Sequence, residues 1–363
     1  MRTGVDAFST GYAQARSRFL EAAGQVGASV ESHAHPLPGL EGEALAMDVA
    51  RIGPAQAPEL LIVSSACHGI EGYCGSGVQI DALGQADLLA RAGERGIALL
   101  FIHALNPHGF SHGRRVTHEN VDLNRNFHDF SQALPVNADY PGLHPLLLPA
   151  AWPPDAANVA ALDAWVAERG LAAFQAAVSR GQHSHPDGLF FGGTAPTWSN
   201  RTLRAVLSAH GRQARRIAWI DLHTGLGPSG VGERIFACRN DAAALARART
   251  WWGPRVTSIY DGSSTSAFLT GLMWTAAEDE CPQAEYTGLA LEYGTEPIMT
   301  VMQALRADHW LHLHPEAPAS LRDAIRRQVR AAFYTETDTW KNQVLAQARE
   351  AIGQALDGLA GPG

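Results

Sequence analysis

Two apolar runs near the start of the chain have the length and continuity of strands that are buried on both faces. They extend from Glu59 to Ser65 and from Ile97 to Ala104, and a helical pattern from Val78 to Arg91 lies between them. A strand, a helix and a strand in this order form a right-handed crossover, so the two strands are expected to be parallel. Extended segments at Val30 onward and Ala44 to Ile52 precede them. The pattern predicts an α/β fold: a single-domain, doubly wound, mixed but mainly parallel sheet with helices on both faces.

Helical patterns open and close the chain. Phe8 to Gly24 has the apolar spacing of a helix. Ala317 to Leu356 predicts a long helix that breaks near Thr335 to Asp338. We expect this C-terminal helical segment, at about residues 317–357, to pack on the outside of the sheet.

The middle of the chain departs from this pattern. Proline and leucine become frequent from Phe130 to Pro154, and a helical segment around Asn158 to Ala177 follows. We interpret residues 130–200 as an insertion that covers the functional site, within one domain that spans residues 1–363. This insertion and Ser258 to Met273 are expected to form the pocket that selects a ligand's side chains.

The composition excludes several classes of protein. The 363 residues are 46% hydrophobic, and Lys and Arg total 28 against 36 Asp and Glu, for a net charge of -8. This balance provides no basic surface for nucleic acid or an anionic membrane, so we expect small molecules or peptides as partners. Neither a secretory signal pattern nor a run of about 18 apolar residues is present, which favours a cytoplasmic protein. The 4 cysteines lack CxxC spacing and are expected to be reduced and mostly buried. The oligomeric state stays open.

Candidate chemistry follows three strand-like runs. The runs and the side chains after them are Leu60 to Ser64 before His68 and Glu71, Ile217 to Ile220 before His223, and Leu289 to Leu291 before Glu292. In an open α/β sheet the carboxyl ends of the strands share one crevice, so these side chains can meet there. Two imidazoles and a carboxylate form a recurring catalytic zinc set that leaves a fourth position for water. The pattern predicts a site for one Zn²⁺ ion in a hydrolase.

Each of these motifs also has a simpler interpretation. A histidine after a strand, such as His68, is often a hydrogen-bonded structural group. Asp221, two residues before His223, can cap backbone amides in an ordinary turn. Glu292 can pair with a surface arginine. The position of these residues after buried strands favours the metal site over the alternatives.

A fourth motif makes the joint pattern recognisable. It comprises Asn106-Pro107-His108-Gly109-Phe110, Arg114-Arg115 and Asn120-Val121-Asp122-Leu123-Asn124-Arg125-Asn126-Phe127. Taken in order with the other three motifs, it makes the sequence resemble the zinc carboxypeptidase superfamily from roughly Leu60 to Thr295. The Asp221 to Gly225 form also resembles the aspartoacylase and succinylglutamate desuccinylase branch. The whole pattern is most similar to an uncharacterised bacterial subfamily with the same zinc site.

The resemblance implies a zinc carboxypeptidase-like catalytic domain with a role for each matching residue. His68, Glu71 and His223 would hold the zinc ion, and Glu292 would be the general base. Asp122 would orient the first zinc-bound histidine, a role that can change metal affinity about 10- to 100-fold.

The resemblance also implies how a substrate is bound. Arg115 would polarise the scissile carbonyl, with its neighbour Arg114 as the alternative. Asn124 and Arg125 would grip a free carboxylate, since an arginine fork beside an amide matches that group geometrically.

Some residues lie outside this pattern. The peptidases usually supply a tyrosine ahead of the catalytic glutamate, and Tyr260 and Tyr286 are both candidates for a role that stays unassigned. The HxH spacing at His183 could chelate a second metal, but a substrate-lining or subunit-contact loop is the favoured interpretation. The remaining histidines are expected at the surface, including His309, His312 and His314.

Three functions are consistent with these features. The first is a metallocarboxypeptidase-like hydrolase that cleaves an amide bond in a peptide or peptide-like substrate bearing a free carboxylate. The second is an N-acyl amino acid deacylase of the aspartoacylase type. The third is a non-catalytic binding protein on the same fold. Retention of all three ligands together with Glu292 argues against the third, because a decayed site usually loses at least one of them.

Overall fold

The centre of the fold is a sheet of seven strands within residues 2–361, the part of the chain described by this computed structural model. The strands are β1 Ser29–Ala34, β2 Ala46–Ile52, β3 Glu59–Ser65, β4 Ala98–His103, β5 Arg216–Ser229, β6 Gly232–Phe236 and β7 Glu285–Gly294. Their order across the sheet is β1-β2-β4-β3-β5-β7-β6. The four central strands are parallel, whereas β1, β2 and β6 pair antiparallel at the two edges. The predicted mixed, mainly parallel sheet is confirmed.

Helices cover both faces of this sheet. Along β3, every residue from Leu60 to Ser65 is buried although alternate side chains point to opposite faces. The helices are α1 Tyr12–Gln25, α2 Gly72–Leu83, α3 Ala86–Glu94, α4 Pro107–His112, α5 Tyr140–Leu147, α6 Ala156–Arg169, α7 Leu171–Ser179, α8 Trp198–Gly211, α9 Ala242–Trp252, α10 Thr275–Glu280, α11 Ile298–Leu313, α12 Ala319–Phe333 and α13 Asp338–Ala360. Short 3₁₀ turns lie at Gly4–Ala7, Gly69–Glu71 and Leu123–Arg125.

The predicted break in the C-terminal helix is confirmed, and a capping residue explains it. The side chain of Thr337 accepts a hydrogen bond from the backbone N–H of Trp340 and starts α13. This contact satisfies one of the N–H groups that the first turn of a helix leaves unpaired. As expected, α13 packs against the sheet, where it contacts β3 and β5.

Two helix predictions were wrong in extent. The segment predicted as one helix from Val78 to Arg91 is divided at Gly84, and its first helix begins earlier, at Gly72. The segment around Asn158 to Ala177 is divided at Gly170, where φ is +87°. Glycine adopts that left-handed conformation without the steric cost that a side chain imposes.

Two placements of candidate residues were also wrong. His223 and Glu292 were expected after the ends of their strands, but β5 continues to Ser229 and β7 to Gly294, so both residues lie inside strands. The histidines outside the motifs were expected at the surface, but His309 within α11 is 2% exposed, and His103 and His35 are also buried. The pairing between β5 and β7 extends both strands, and packing against the following helices buries His309.

The segment at residues 130–200 packs on α11 and α12 rather than on the sheet. Its apolar side chains form a second hydrophobic cluster with those helices. Arg306 of α11 ties it down by donating hydrogen bonds to the carbonyl oxygens of Leu146 and Leu147 and to Asn158 Oδ1, each at 2.8 Å. The limits of this segment as an insertion, and the single-domain organisation, stay predictions.

Two further observations bear on the expectations from composition. The cysteines Cys67, Cys74, Cys238 and Cys281 are all free and buried, as predicted. Within residues 2–361, none of the helices combines the length and the apolar character needed to cross a lipid bilayer.

Candidate functional site

A tight turn after β3 positions His68 and Glu71. Gly69 opens this turn, and a Cβ there would lie 2.1 Å from the backbone carbon of Gly109, so a larger residue does not fit. The Gly69 N–H donates to the carbonyl oxygen of Arg115 at 3.0 Å. The turn and the segment after α4 are thereby held side by side.

His223 on β5 meets this pair in the interior. The Nδ1 atom of His68 lies 2.9 Å from Glu71 Oε1, and the Nδ1 atom of His223 lies 3.1 Å from Glu71 Oε2. One ligand atom from each of the three residues lies within 4.8 Å of the other two, and all three residues are buried. The structure therefore brings together the three predicted ligands, and two imidazoles with a carboxylate fit a zinc ion.

The second ring nitrogen of each histidine faces a buried aspartate. His68 Nε2 lies 3.2 Å from Asp122 Oδ1, and His223 Nε2 lies 2.5 Å from Asp221 Oδ2. The hydroxyl of Ser64 donates to the other oxygen of Asp221 at 2.5 Å. A carboxylate in this position fixes the tautomer and the orientation of a ligating imidazole, and the Asp221 contact leaves Nδ1 of His223 directed at Glu71. His68 Nε2 is shared between two groups, because Arg115 Nη2 lies 2.8 Å from it.

Sequence reasoning missed the role of Asp221, which it weighed only as a cap for a turn. The signal was its spacing, because residues two apart on a strand point to the same face. Asp221 and His223 both lie on β5, so the aspartate is directly available to the imidazole.

Replacing Asp221 by asparagine is expected to weaken zinc affinity about 10- to 100-fold, because His223 loses the group that sets its tautomer. Competition with a chromophoric chelator measures this affinity. Asp48→Asn is the matched control, since Asp48 is a buried aspartate paired with Arg16. Equal zinc affinity in the Asp221 variant and the unaltered protein contradicts the assignment.

The charges of Glu71 and His223 stabilise each other. Burial opposes ionisation of Glu71, but His68 and His223 hold its pKa below the usual range. Burial also opposes protonation of His223, yet Asp221 and Glu71 raise its pKa well above 6.5. A cation that takes the place between them must displace the proton of His223, so metal binding is expected to weaken as the pH falls.

A second group of ligand atoms overlaps the first. Cys67, Asp221 and His223 also have ligand atoms within 4.8 Å of one another. Burial raises the pKa of the Cys67 thiol well above 9.0, which keeps it in the weakly ligating neutral form. The main cavity is lined by His68 and His223 but not by Cys67. The group with His68 and Glu71 is therefore the one that adjoins the main cavity.

Glu292 stands beside this group on the neighbouring strand. It is directly paired with His223 across the parallel β5 and β7 strands, so the two side chains point to the same face. Its Oε1 atom accepts a hydrogen bond from the Leu226 N–H at 2.9 Å. Burial, together with the nearby charge of Glu71, raises the pKa of Glu292 to about 7. A carboxylate with such a pKa suits proton transfer near neutral pH.

The two adjacent arginines have different surroundings. Arg115 donates to Asp122 Oδ2 at 2.9 Å and to Glu71 Oε1 at 3.2 Å, and it lines the main cavity. Arg114 instead pairs with the buried Asp308 at 3.0 Å. The structure places Arg115 at the site and gives Arg114 a partner elsewhere.

Asn124 and Arg125 both line the cavity, but backbone contacts use part of their hydrogen-bonding capacity. Nε and Nη2 of Arg125 donate to the carbonyl oxygen of Ser179, and Nη1 donates to that of Asn124. The amide oxygen of Asn124 accepts from the Met273 N–H at 2.9 Å. A guanidinium has five N–H groups, so Arg125 retains donors for a ligand. The contacts with Ser179 and Asn124 fix the position of the Arg125 guanidinium.

Phe190 separates the two arginines of the cavity. The guanidinium carbons of Arg115 and Arg125 lie 5.4 Å and 5.5 Å from its ring centroid, within the range of cation–π attraction. Its φ of +52° is unusual for a residue with a side chain and indicates that the surrounding packing imposes its position. Phe190 lines the cavity and belongs to the loop from His183 to Gly193, for which a substrate-lining or subunit-contact role was the favoured interpretation.

A cavity opens beside these residues. Part of its lining comes from segments that were predicted, including Gln175, Ser179, Ile259 and Leu269. A further apolar wall was not predicted and comes from α11 and α12, through Ile298, Val301, Met302, Leu305 and Phe333.

The other residues considered from the sequence lie away from the cavity lining. The Tyr260 hydroxyl donates to the carbonyl oxygen of Cys238, and the Tyr286 hydroxyl donates to that of Ala237, each at 3.0 Å. His183 lies in a neighbouring pocket, with Nδ1 2.7 Å from the carbonyl oxygen of Gly193. Neither tyrosine is placed to act on a group held in the main cavity.

Comparison of the sequence with models of known protein families identifies a family for this chain. Residues 8–347 match the model of a family described as a protein of unknown function, DUF2817. The chain belongs to this family. A search of curated proteins gives no match to this DUF2817 member.

Solved structures resemble this DUF2817 protein in fold at low identity. Bovine thrombin-activatable fibrinolysis inhibitor, in complex with tick carboxypeptidase inhibitor, has a TM-score of 0.50 at 10% identity, with 97% of each chain covered. A metallo-carboxypeptidase from Burkholderia cenocepacia has a TM-score of 0.42 at 13% identity, covering 94% of this chain and 68% of that one. A metallo-carboxypeptidase from Pseudomonas aeruginosa, in complex with (2-guanidinoethylmercapto)succinic acid, has a TM-score of 0.44 at 13% identity, covering 95% and 68%. The bovine comparison supports a carboxypeptidase-like fold.

Proposed function

We propose that this protein is a zinc-dependent hydrolase that cleaves an amide bond in a peptide or peptide-like substrate bearing a free carboxylate. The observation that carries the proposal is the convergence of His68, Glu71 and His223 next to Glu292, at the wall of one cavity. A metal site buried for structural reasons alone needs neither a neighbouring base nor an adjoining cavity.

The proposed chemistry divides between the ion and the side chains. His68, Glu71 and His223 would hold the zinc ion, which would supply Lewis-acid activation of water and of a carbonyl group. Glu292 accepts a proton as a carboxylate and passes it to the leaving amine. Arg115 stabilises negative charge on the substrate's carbonyl oxygen, and loss of one such donor commonly lowers the rate by about 10²- to 10³-fold.

The cavity supports a substrate with an acidic group beside an apolar one. Asn124 and Arg125 provide donors for the carboxylate at one wall. Apolar residues such as Ile235, Leu269 and Val301 form much of the remaining lining. Burying an apolar side chain against such walls contributes about 1.5–3 kcal/mol. We therefore expect a preference for a large apolar group on the substrate.

Deacylation of N-acyl amino acids is the second candidate. The wall from α11 and α12 can accommodate an apolar acyl group, while Arg125 can bind the amino acid's carboxylate. In both functions the carboxylate is on the amine side of the cleaved amide, where Arg125 can bind it. The two functions differ in whether the acyl side is a peptide or a simple acyl group, and therefore in what fills the apolar wall.

A substrate panel tests the proposal and separates the candidates. It contains N-blocked dipeptides ending in leucine or phenylalanine, the corresponding C-terminal amides, and N-acetyl and N-octanoyl amino acids. The proposed function predicts that the free-acid dipeptides are cleaved with kcat/KM about 10-fold or more above that of their amides, because the amides lose a charge-assisted hydrogen bond.

Treatment with a zinc chelator is the control for this panel. Hydrolysis that continues unchanged in the chelator contradicts the proposal. Cleavage of the N-acyl amino acids alone favours the deacylase.

A further inference from the structure

Three histidines outside the candidate active site are close neighbours of one another. His35 follows β1, His108 belongs to α4, and His118 lies in the loop after α4. Their ring centroids are separated by 5.0 Å, 5.6 Å and 5.7 Å. His35 is buried, and the other two are half-buried.

This spacing matches that of imidazoles that share an ion. A zinc–nitrogen bond is about 2.0 Å, which places each ring centre about 3 Å from the metal and two rings about 5 Å apart. The rings of His68 and His223, the two imidazoles of the candidate active site, are 5.1 Å apart. The second group therefore has the dimensions of the first, with three imidazoles instead of two.

The hydrogen bonds of the group leave ring nitrogens for a ligand. His35 Nε2 and His118 Nδ1 already lie 3.2 Å apart, a separation that suits two ligands of one ion. Within residues 2–361, the buried Nδ1 atom of His108 has no hydrogen-bond partner. In the present orientation of the His108 ring, the ligand atoms of the three histidines do not yet converge on one position. Rotation of this ring would bring a nitrogen towards the other two histidines, and it would break no hydrogen bond of His108 Nδ1.

Protonation does not block these ligands. Burial and the neighbouring histidines hold the pKa of His108 at about 3, and burial lowers that of His35. Both rings are therefore neutral near pH 7, the form that binds a metal. Glu119 Oε2 lies 3.1 Å from His118 Nδ1 and adds a negative charge at the edge of the group.

We propose that His35, His108 and His118 form a second metal site, for a borderline divalent ion such as zinc. Such ions are suited to imidazole ligands, whereas magnesium and calcium prefer oxygen. His112 stacks on His108 at 4.0 Å and is the nearest candidate for a fourth ligand. This site does not depend on the proposed hydrolase function.

The ion would fasten the loop after β1 to α4. That loop already contacts the helix, since the Leu40 N–H donates to Ser111 Oγ at 2.9 Å. The residues directly after α4 include Arg115, whose carbonyl oxygen accepts from the Gly69 N–H beside His68. The second site therefore adjoins the segment that carries Arg115. An ion bound there would stabilise the folded chain.

Metal stoichiometry tests this proposal. The full-length protein is stripped of metal and titrated with Co²⁺, and bound metal is measured by equilibrium dialysis together with the visible absorption of the bound ion. We expect two ions per chain for the unaltered protein and one for either His108→Asn or His118→Asn, with the remaining ion still held by the first site. Saturating metal is expected to raise Tm by less in these variants than in the unaltered protein.

A matched control comes from another pair of neighbouring histidines. The rings of His144 and His185 lie 4.4 Å apart, so His185→Asn removes a clustered histidine elsewhere. This variant is expected to keep two ions. The proposal is overturned if the His108 and His118 variants bind as many ions as the unaltered protein.

Discussion

Replacing Glu292 by glutamine is expected to lower amide hydrolysis by about 10²- to 10⁴-fold, the contribution that a positioned general base typically makes. The amide keeps the size of the side chain but cannot accept the proton. Steady-state kinetics with the best substrate of the panel measure the effect, which should fall on kcat. Metal content should stay at the level of the unaltered protein, because Glu292 is not one of the three predicted ligands.

Glu296→Gln is the control for this variant. Glu296 lies four residues further along and is exposed, so the same chemical change there should leave kcat within about twofold of the unaltered protein. A Glu292 variant that keeps its metal and more than about a tenth of the activity contradicts the role of general base.

The same carboxylate should set the acid side of the pH profile. Burial raises the pKa of Glu292 to about 7 in the metal-free protein, and a nearby cation favours the carboxylate and lowers that value. Activity requires the deprotonated form, so kcat should fall as the pH drops through a pKa at or below about 7. The Glu292→Gln variant should lack this limb.

Loss of the metal is the second large expected effect. His223→Ala should lower hydrolysis by about 10³-fold or more, since the ion contributes several kcal/mol of transition-state stabilisation and each 1.36 kcal/mol is a factor of ten in rate. Chelation of the unaltered protein should have the same effect, and added zinc should restore its activity. Zinc should not restore the variant, which lacks one ligand.

His312→Ala separates this effect from the general loss of a histidine. His312 is exposed on α11 and lies outside both histidine groups described above, so this change should preserve activity and zinc content. Full activity in His223→Ala, or in protein freed of metal, would show that the ion has no part in catalysis.

The parts of the fold that could be predicted are those whose burial is uniform. β3 and β4 are covered on both faces, so their sequences are continuous apolar runs that indicate strands directly. The ends of elements were less predictable. Pairing with β7 carries β5 on to Ser229, past the polar residues that suggested its end, and that pairing is a tertiary contact.

The candidate site was predictable where its parts are close in sequence. His68 and Glu71 lie on one turn, so their spacing of three positions can be read directly from the sequence. Which of the two adjacent arginines lies at the site was not predictable. The answer depends on Asp308, which binds Arg114 and lies in a helix almost two hundred positions later.

The apolar wall of the cavity was also beyond the sequence. α11 is buried along much of its length, so Val301 and Leu305 of the cavity follow the same pattern as core residues such as Ala304. Periodicity identifies a buried face but does not say whether that face meets another helix or a cavity.

Anomalous scattering from crystals of the active protein, recorded on either side of the zinc absorption edge, tests the central claim most directly. We predict a peak about 2.0–2.2 Å from Nδ1 of His68, a carboxylate oxygen of Glu71 and Nδ1 of His223, the usual zinc–ligand distances. A catalytically active crystal with no peak between these three side chains would contradict the account.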